Sequence, residues 1–240
     1  MPTDLMAGIR RFERSTFPRY EHTYRKLVDD GQHPNTLFIG CSDSRVVPYL
    51  LMDCGPGELF IVRNVGNLVP PHDASHGHHG TAAAIEFAVL SLNVRNIVVC
   101  GHNHCGAIRA LYREPPAEAR HMRVWLDLAR PAVLPVAESE EALRRVEQRS
   151  VVLQLEHLLS YPMVADRVKR GELFLHGWHY LIEEGRIQVF DFESGSFRAH
   201  ERTVPQPAKG QAADAARMQA GERAPLPIEM DVMHWGQAAA

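Results

Sequence analysis

The sequence lacks what would tie it to a membrane or to nucleic acid. No apolar run approaches the ~18–20 residues of a membrane-spanning helix. Arg10, Arg11, Glu13 and Arg14 stand near the N-terminus, where a secretory leader would have an apolar core, so the expected compartment is cytoplasmic. There is no basic excess either. The 26 Lys and Arg are outnumbered by 29 Asp and Glu, for a net charge of −3 at pH 7. Phosphate binding needs a concentrated positive field, so nucleic acid is not an expected partner. Cysteine is scarce, with four in 240 residues (Cys41, Cys54, Cys100 and Cys105). A chain this long buries roughly 70–75% of its unfolded surface without a disulfide staple. In a reducing compartment metal ligation is the commoner use of such thiols. No internal repeat is visible. What remains, 45% hydrophobic and 23% charged residues, is the composition of an ordinary globular domain.

Short β-branched runs alternate with helical patterns along the first 200 residues. Strands are expected at Thr36 to Gly40, Glu58 to Val62, Asn96 to Cys100 and Glu172 to His176. A hairpin follows, Trp178 to Ile182 with Arg186 to Phe192, turning at Glu183-Glu184-Gly185. Helices are expected over residues 4–30 (interrupted by Pro18), 47–53, 81–92 with Asn93 as a stop, and 105–112. A further helix over 140–159 is capped by Ser139, carries an acidic first turn and is ended by Pro162. Residues 113–135 read as a connection with some helix. This order predicts an α/β fold, with a central, mostly parallel β-sheet, an antiparallel edge strand and flanking helices. Residues 1–204 form one domain, of which 1–30 are a helical arm. Residues 205–240, rich in Pro, Ala and Gln, read as a tail.

Two motifs stand where the first and third strands end. Cys41-Ser42-Asp43-Ser44-Arg45 follows Leu37-Phe38-Ile39, and His102-Asn103-His104-Cys105 follows Ile97-Val98-Val99-Cys100. In an open α/β sheet, ligands and reactive groups gather past the carboxyl ends of the strands. Cys41, Cys105 and His102 offer two thiolates and one imidazole, a set that suits Zn²⁺. A structural zinc site would close with four such ligands. Here the count stops at three, and the fourth position is left for water or for Asp43. Asp43 and Arg45 are spaced to meet as a bidentate pair, which would hold the carboxylate off the metal.

C-x-D-x-R followed some sixty residues later by H-x-x-C resembles the β-class carbonic anhydrases. So do Gln32-x-Pro34, Gly55-Pro56-Gly57-Glu58, Val62 through Pro71, Gly80 through Phe87, Gly101 through Ala107 and Leu175-His176-Gly177-Trp178. The resemblance covers roughly residues 20 to 195. It implies zinc-dependent, reversible hydration of CO2 to bicarbonate and a proton by zinc-bound hydroxide, oriented by the Asp43–Arg45 pair. One zinc per chain would be held by Cys41, His102 and Cys105, with Asp43 as fourth ligand in a closed state. The resemblance also implies Gln32 as a donor to a substrate oxygen, main-chain amides near Gly106, and an apolar CO2 surface that includes Val46 and Phe60. It implies a homodimer or a higher even-numbered homo-oligomer, because the pocket sits between subunits and the N-terminal helices grip the neighbour.

Other residues carry weaker readings. Some family members bind an inhibitory bicarbonate with Trp, Arg and Tyr. Arg63 and Tyr180 are in place for that pocket, but Phe38 stands where the Trp would be. Arg63 could equally pair with Asp53 or Glu58. His72, His76, His78 and His79 sit among Pro, Gly, Asp and Ser and read as a solvated loop, with a proton shuttle as the rival. The His104 ring is expected to point away from the metal, and Cys54 and Cys100 to be core thiols. Three rivals share the motifs: a hydratase of carbonyl sulfide or carbon disulfide, a thiol-based redox sensor and a Cys/His hydrolase.

Overall fold

The structure is a computed structural model that describes residues 5–72, 79–113 and 115–199. The tail expected at 205–240 lies outside the described residues, as do His76 and His78.

A six-stranded sheet organises the domain, with strand order β2-β1-β3-β4-β5-β6. The strands are β1 (Thr36–Cys41), β2 (Leu59–Asn64), β3 (Asn96–His102), β4 (Phe174–Leu181), β5 (Arg186–Asp191) and β6 (Ser196–Ala199). The first four run parallel, and β5 and β6 are antiparallel. The chain leaves β1 for β2 on one side and returns to β3 on the other. The carboxyl ends of β1 and β3 therefore flank the switch point, the crevice where α/β sheets bind ligands.

Side chains alternate across the central strands. Leu37, Ile39, Ile97 and Val99 enter the main core, while Phe38, Val98 and Cys100 form a smaller cluster with Leu51, Met52, Ile61, Trp178 and Tyr180. Both faces are thus apolar, as a covered parallel sheet requires.

Eight α-helices are described: α1 (Leu5–Arg11), α2 (Phe17–Asp30), α3 (Pro48–Met52), α4 (Gly80–Glu86), α5 (Gly106–Ala110), α6 (Arg120–Leu126), α7 (Glu140–Leu159) and α8 (Pro162–Lys169). A π-helical turn, Phe12–Thr16, joins α1 to α2 just before Pro18. Proline removes an N–H and crowds the preceding turn, which accounts for the irregularity. No residue of α1, of this turn or of α2 is buried. The Ser139 hydroxyl accepts the Ala142 N–H at 3.1 Å, so the expected cap on α7 forms. Asn93 adopts φ 54° and stops the helix over residues 80–91, as expected.

Four expectations need correction. Pro162 ends α7 but also opens α8 as its first residue, a position that proline favours. The strand and the hairpin arm expected within 172–182 are one strand, β4 (Phe174–Leu181), with Gly177 inside it. A Cβ at Gly177 would meet Leu155 at 3.0 Å and Val151 and Phe190 at 3.1 Å, so this glycine marks close helix–sheet approach, not a turn. Strand β6 was not foreseen. β1 and β3 run one and two residues longer than expected, which makes Cys41 and His102 the last residues of their strands.

Candidate metal centre

β1 and β3 are paired with Gly40 opposite Cys100. Their ends therefore deliver Cys41 and His102 side by side, and the turn after β3 returns Cys105 to them. The two sulfurs and a His102 ring nitrogen all lie within 4.8 Å of one another. All three residues are buried.

The His102 ring is fixed from behind. Its Nδ1 donates to the Asn103 carbonyl at 2.8 Å, which leaves the Nε2 lone pair free. Nε2 is buried and has no hydrogen-bond partner. An unpartnered nitrogen facing two sulfurs is costly unless something binds there. The residues present fit a soft or borderline divalent metal, zinc foremost.

The sulfurs are electronically unequal. Cys41 is pushed down to about 4, chiefly by a hydrogen bond from the Cys105 thiol, with help from His102 and from the Asp43 and Gly66 amides. Cys105 goes well up, because it keeps the proton it shares with Cys41 and because it is buried. Burial alone would push His102 down, but the Cys41 sulfur beside it more than offsets that and raises it. A divalent metal would displace the shared proton. Burial drives Cys54 up to about 11 and Cys100 up to about 12, which leaves both as neutral thiols.

Asp43 stands at the mouth of the cluster, its Oδ2 3.9 Å from His102 Nε2. Arg45 grips both oxygens, Nε to Oδ1 at 2.9 Å and Nη2 to Oδ2 at 2.7 Å, and its amide adds a third bond to Oδ1 at 3.0 Å. These bonds hold the Asp43 carboxyl well below the usual carboxylate range, despite some opposing desolvation. Arg45 Nη2 also reaches the His104 carbonyl at 3.0 Å and so ties the two ligand loops together.

Arg63 donates to the Cys41 carbonyl at 3.0 Å and to the Asp43 carbonyl at 2.7 Å, bracing the first loop. Val46 is fully buried, and its amide donates to the Asp43 carbonyl. Gly106 opens α5 beside Cys105, with open space where a Cβ would stand. Gln32 and Phe60 are not brought to the cluster. Gln32 lines a separate cleft of about 430 Å³ with Tyr20, Tyr24, Tyr49 and Cys54. Phe60 packs against Phe87, with ring centroids 5.7 Å apart.

Of the loop histidines, His72 sits edge-on to Tyr161 and His79 lies against Trp125. The His104 ring turns outward, 3.6 Å from both Glu140 and Glu183. Two supporting residues were not singled out from the sequence. Asn103 donates to Glu183 and accepts the Ile182 amide, and Glu147 on α7 accepts the Cys105 amide. Glu147 carried a visible signal, since it is an acid on the buried helix face that carries Leu143, Val146, Val151, Leu155 and Leu158.

Comparison with known proteins agrees with this geometry. A family model described as carbonic anhydrase matches residues 36–187. A carbonic anhydrase of Pseudomonas aeruginosa is 41% identical over 204 residues, which covers 81% of this chain and 90% of that protein. Among solved structures, the β-carbonic anhydrase CcaA superposes with a TM-score of 0.77 at 36% identity, covering 83% of this chain and 92% of that one. A structure from work on two tetrameric β-carbonic anhydrases of Sordaria macrospora gives 0.68 at 27% identity, covering 81% and 97%. With the Cys-His-Cys cluster at the switch point of its sheet, the chain belongs to the carbonic anhydrase family, in its β class.

Proposed function

We propose that the chain catalyses the reversible hydration of CO2 to bicarbonate and a proton with a single zinc held by Cys41, His102 and Cys105. The observation that carries this reading is an unpartnered, buried His102 Nε2 between two sulfurs, 3.9 Å from a carboxylate that Arg45 keeps ionised. Zinc bound there would acidify a coordinated water and so supply the nucleophile. The rest is done by the chain. Asp43, clamped by Arg45, can accept a hydrogen bond but cannot donate one, so it orients a water entering the cleft with a lone pair toward the substrate. The same clamp supports an open site with Asp43 held off the metal. The family resemblance assigns the CO2 surface to Val46 and the main chain at Gly106, and solvent would take the released proton.

Gln32 and Phe60 lie away from the cluster of their own chain, and no residue of α1 or α2 is fully buried within that chain. Both facts support a homodimer or a larger even-numbered assembly in which these groups complete a neighbour's pocket. Phe38 is fully buried and edge-on to Trp178, with centroids 6.4 Å apart, and Arg63 is engaged with main-chain carbonyls. These two residues support an enzyme without the inhibitory bicarbonate pocket. Reduced thiols fit a cytoplasmic protein, and among the described residues no helix is long and apolar enough to cross a membrane.

The test is stopped-flow CO2 hydration from about pH 6.5 to 9 on protein of known zinc content. Turnover at neutral pH with zinc bound mole for mole is expected. Turnover confined to alkaline pH would place Asp43 on the metal at rest. No turnover with zinc fully loaded would sink the CO2 reading and favour a CO2-analogue hydratase or a sensor. Phe38→Trp is expected to steepen the pH dependence.

A further inference from the structure

Behind the metal cluster lies a chain of polar groups whose two ionisable members are buried and whose far end, Gln148 and Gln188, is part-buried. Glu147 is 4% exposed and His179 is fully buried. Glu147 Oε1 accepts the Cys105 amide at 3.1 Å. Its Oε2 meets His179 Nε2 at 3.3 Å. His179 Nδ1 in turn meets Gln188 Oε1 at 3.3 Å, an oxygen that also accepts Gln148 Nε2 at 2.9 Å. The network thus runs from a ligand's main chain through α7 to β4 and β5.

The backbone places it there. A Cβ at Gly101 would come within 2.6 Å of Val151, so bare strand lets α7 lie directly on the end of β3. One helical turn before Val151, the next side chain on that face is Glu147, which lands at the Cys105 amide.

Stability alone does not account for these groups. Taking a carboxylate and an imidazole out of water carries a large desolvation cost, and apolar residues of similar size often fill such space as well or better. What an apolar pair could not do is accept the Cys105 N–H. We infer that Glu147 is a positioning residue for the metal centre, oriented by His179 and Gln188. It fixes the main chain at Cys105, and through it the direction of the sulfur. This inference rests on the metal reading above.

The test is zinc release from the intact zinc-loaded protein into excess chromogenic chelator, alongside the visible spectrum of the cobalt-substituted protein and the Tm. Glu147→Leu is expected to release zinc about 10–100-fold faster and to shift the cobalt bands. His179→Leu should release it about tenfold faster, and the double variant no faster than Glu147→Leu, because the pair acts as a unit. Glu147→Gln keeps an acceptor for the amide and should stay near wild type. Val164→Ala, buried in the core on α8, controls for lost packing: it should lower Tm and leave zinc release unchanged. Wild-type release rates and cobalt spectra in folded Glu147→Leu and His179→Leu would overturn the proposal. Should Glu147→Leu not fold, His179→Leu decides it by the same readouts. A wild-type chain that takes up no zinc overturns both readings, whereas a zinc-holding wild type with unchanged variants overturns only this one.

Discussion

Asp43 and Arg45 secure the first ligand loop with charge at the edge of solvent, whereas Glu147 secures the second with a hydrogen bond inside the protein. The Arg45 side chain is 47% exposed and Asp43 18%, against 3% for Glu147. An exposed pair is screened by salt and contributes little to stability. It can, however, face a substrate, hold a proton acceptor ready and let go. Glu147 and His179 are buried, where a hydrogen-bonded pair trades few partners with water and keeps one geometry. Under the zinc reading proposed above, the difference would separate two tasks within a single small site: the Asp43–Arg45 pair would present chemistry at the solvent edge, and Glu147 would keep the Cys105 loop in place for the metal.

The sharpest way to break this division is at the ligands. Cys105→Ser is expected to abolish zinc binding and turnover together, as read by metal analysis of the purified protein. Retained zinc would mean that the second loop is not the anchor. Next in size is Asp43→Asn. It should keep its zinc and lose roughly 10²–10⁴-fold in kcat, the range for a misplaced proton acceptor. Loss of metal on that substitution would move Asp43 into the anchoring half and erase the contrast.

The smallest effect is thermodynamic. Arg45 depresses the Asp43 pKa in the folded state, so the pair's stabilisation is present above the unfolded carboxylate value of about 4 and is lost as pH falls. For so exposed a pair it amounts to ~1 kcal/mol or less. The Tm gap between wild type and Asp43→Asn should therefore be small and constant from about pH 5 to 8, and should narrow below about pH 4. A gap that widened in acid would reverse the sign of the argument.

The sequence showed the first half of the site more fully than the second. Cys41, Asp43 and Arg45 lie within five residues, and their spacing alone puts carboxylate and guanidinium in reach. His102 and Cys105 were legible for the same reason. Glu147 was legible only as an acid on a buried helix face, and His179 not at all, because they come from a helix and a strand far along the chain and meet only when α7 lies on Gly101. Arg63 was ambiguous, since its partners are backbone carbonyls, which leave no mark on a residue pattern. The parallel core of the sheet followed from its β-branched runs. Strand β6, four residues long and partly exposed at the sheet edge, had too little apolar periodicity to be seen. Gly177 misled because the same residue type serves turns and close packing alike.

The helices over residues 5–30 have no fully buried residue, yet they display Leu5, Met6, Ile9, Phe12 and Val28 to solvent. Short helices with little buried face are marginal in water. If a second copy covers these residues, mass action governs their order, and protein concentration becomes a variable of folding. Dilution would then strip helical signal from the arm, and with it any neighbour's pocket that the arm helps to close, while the sheet and the Cys-His-Cys cluster stay intact.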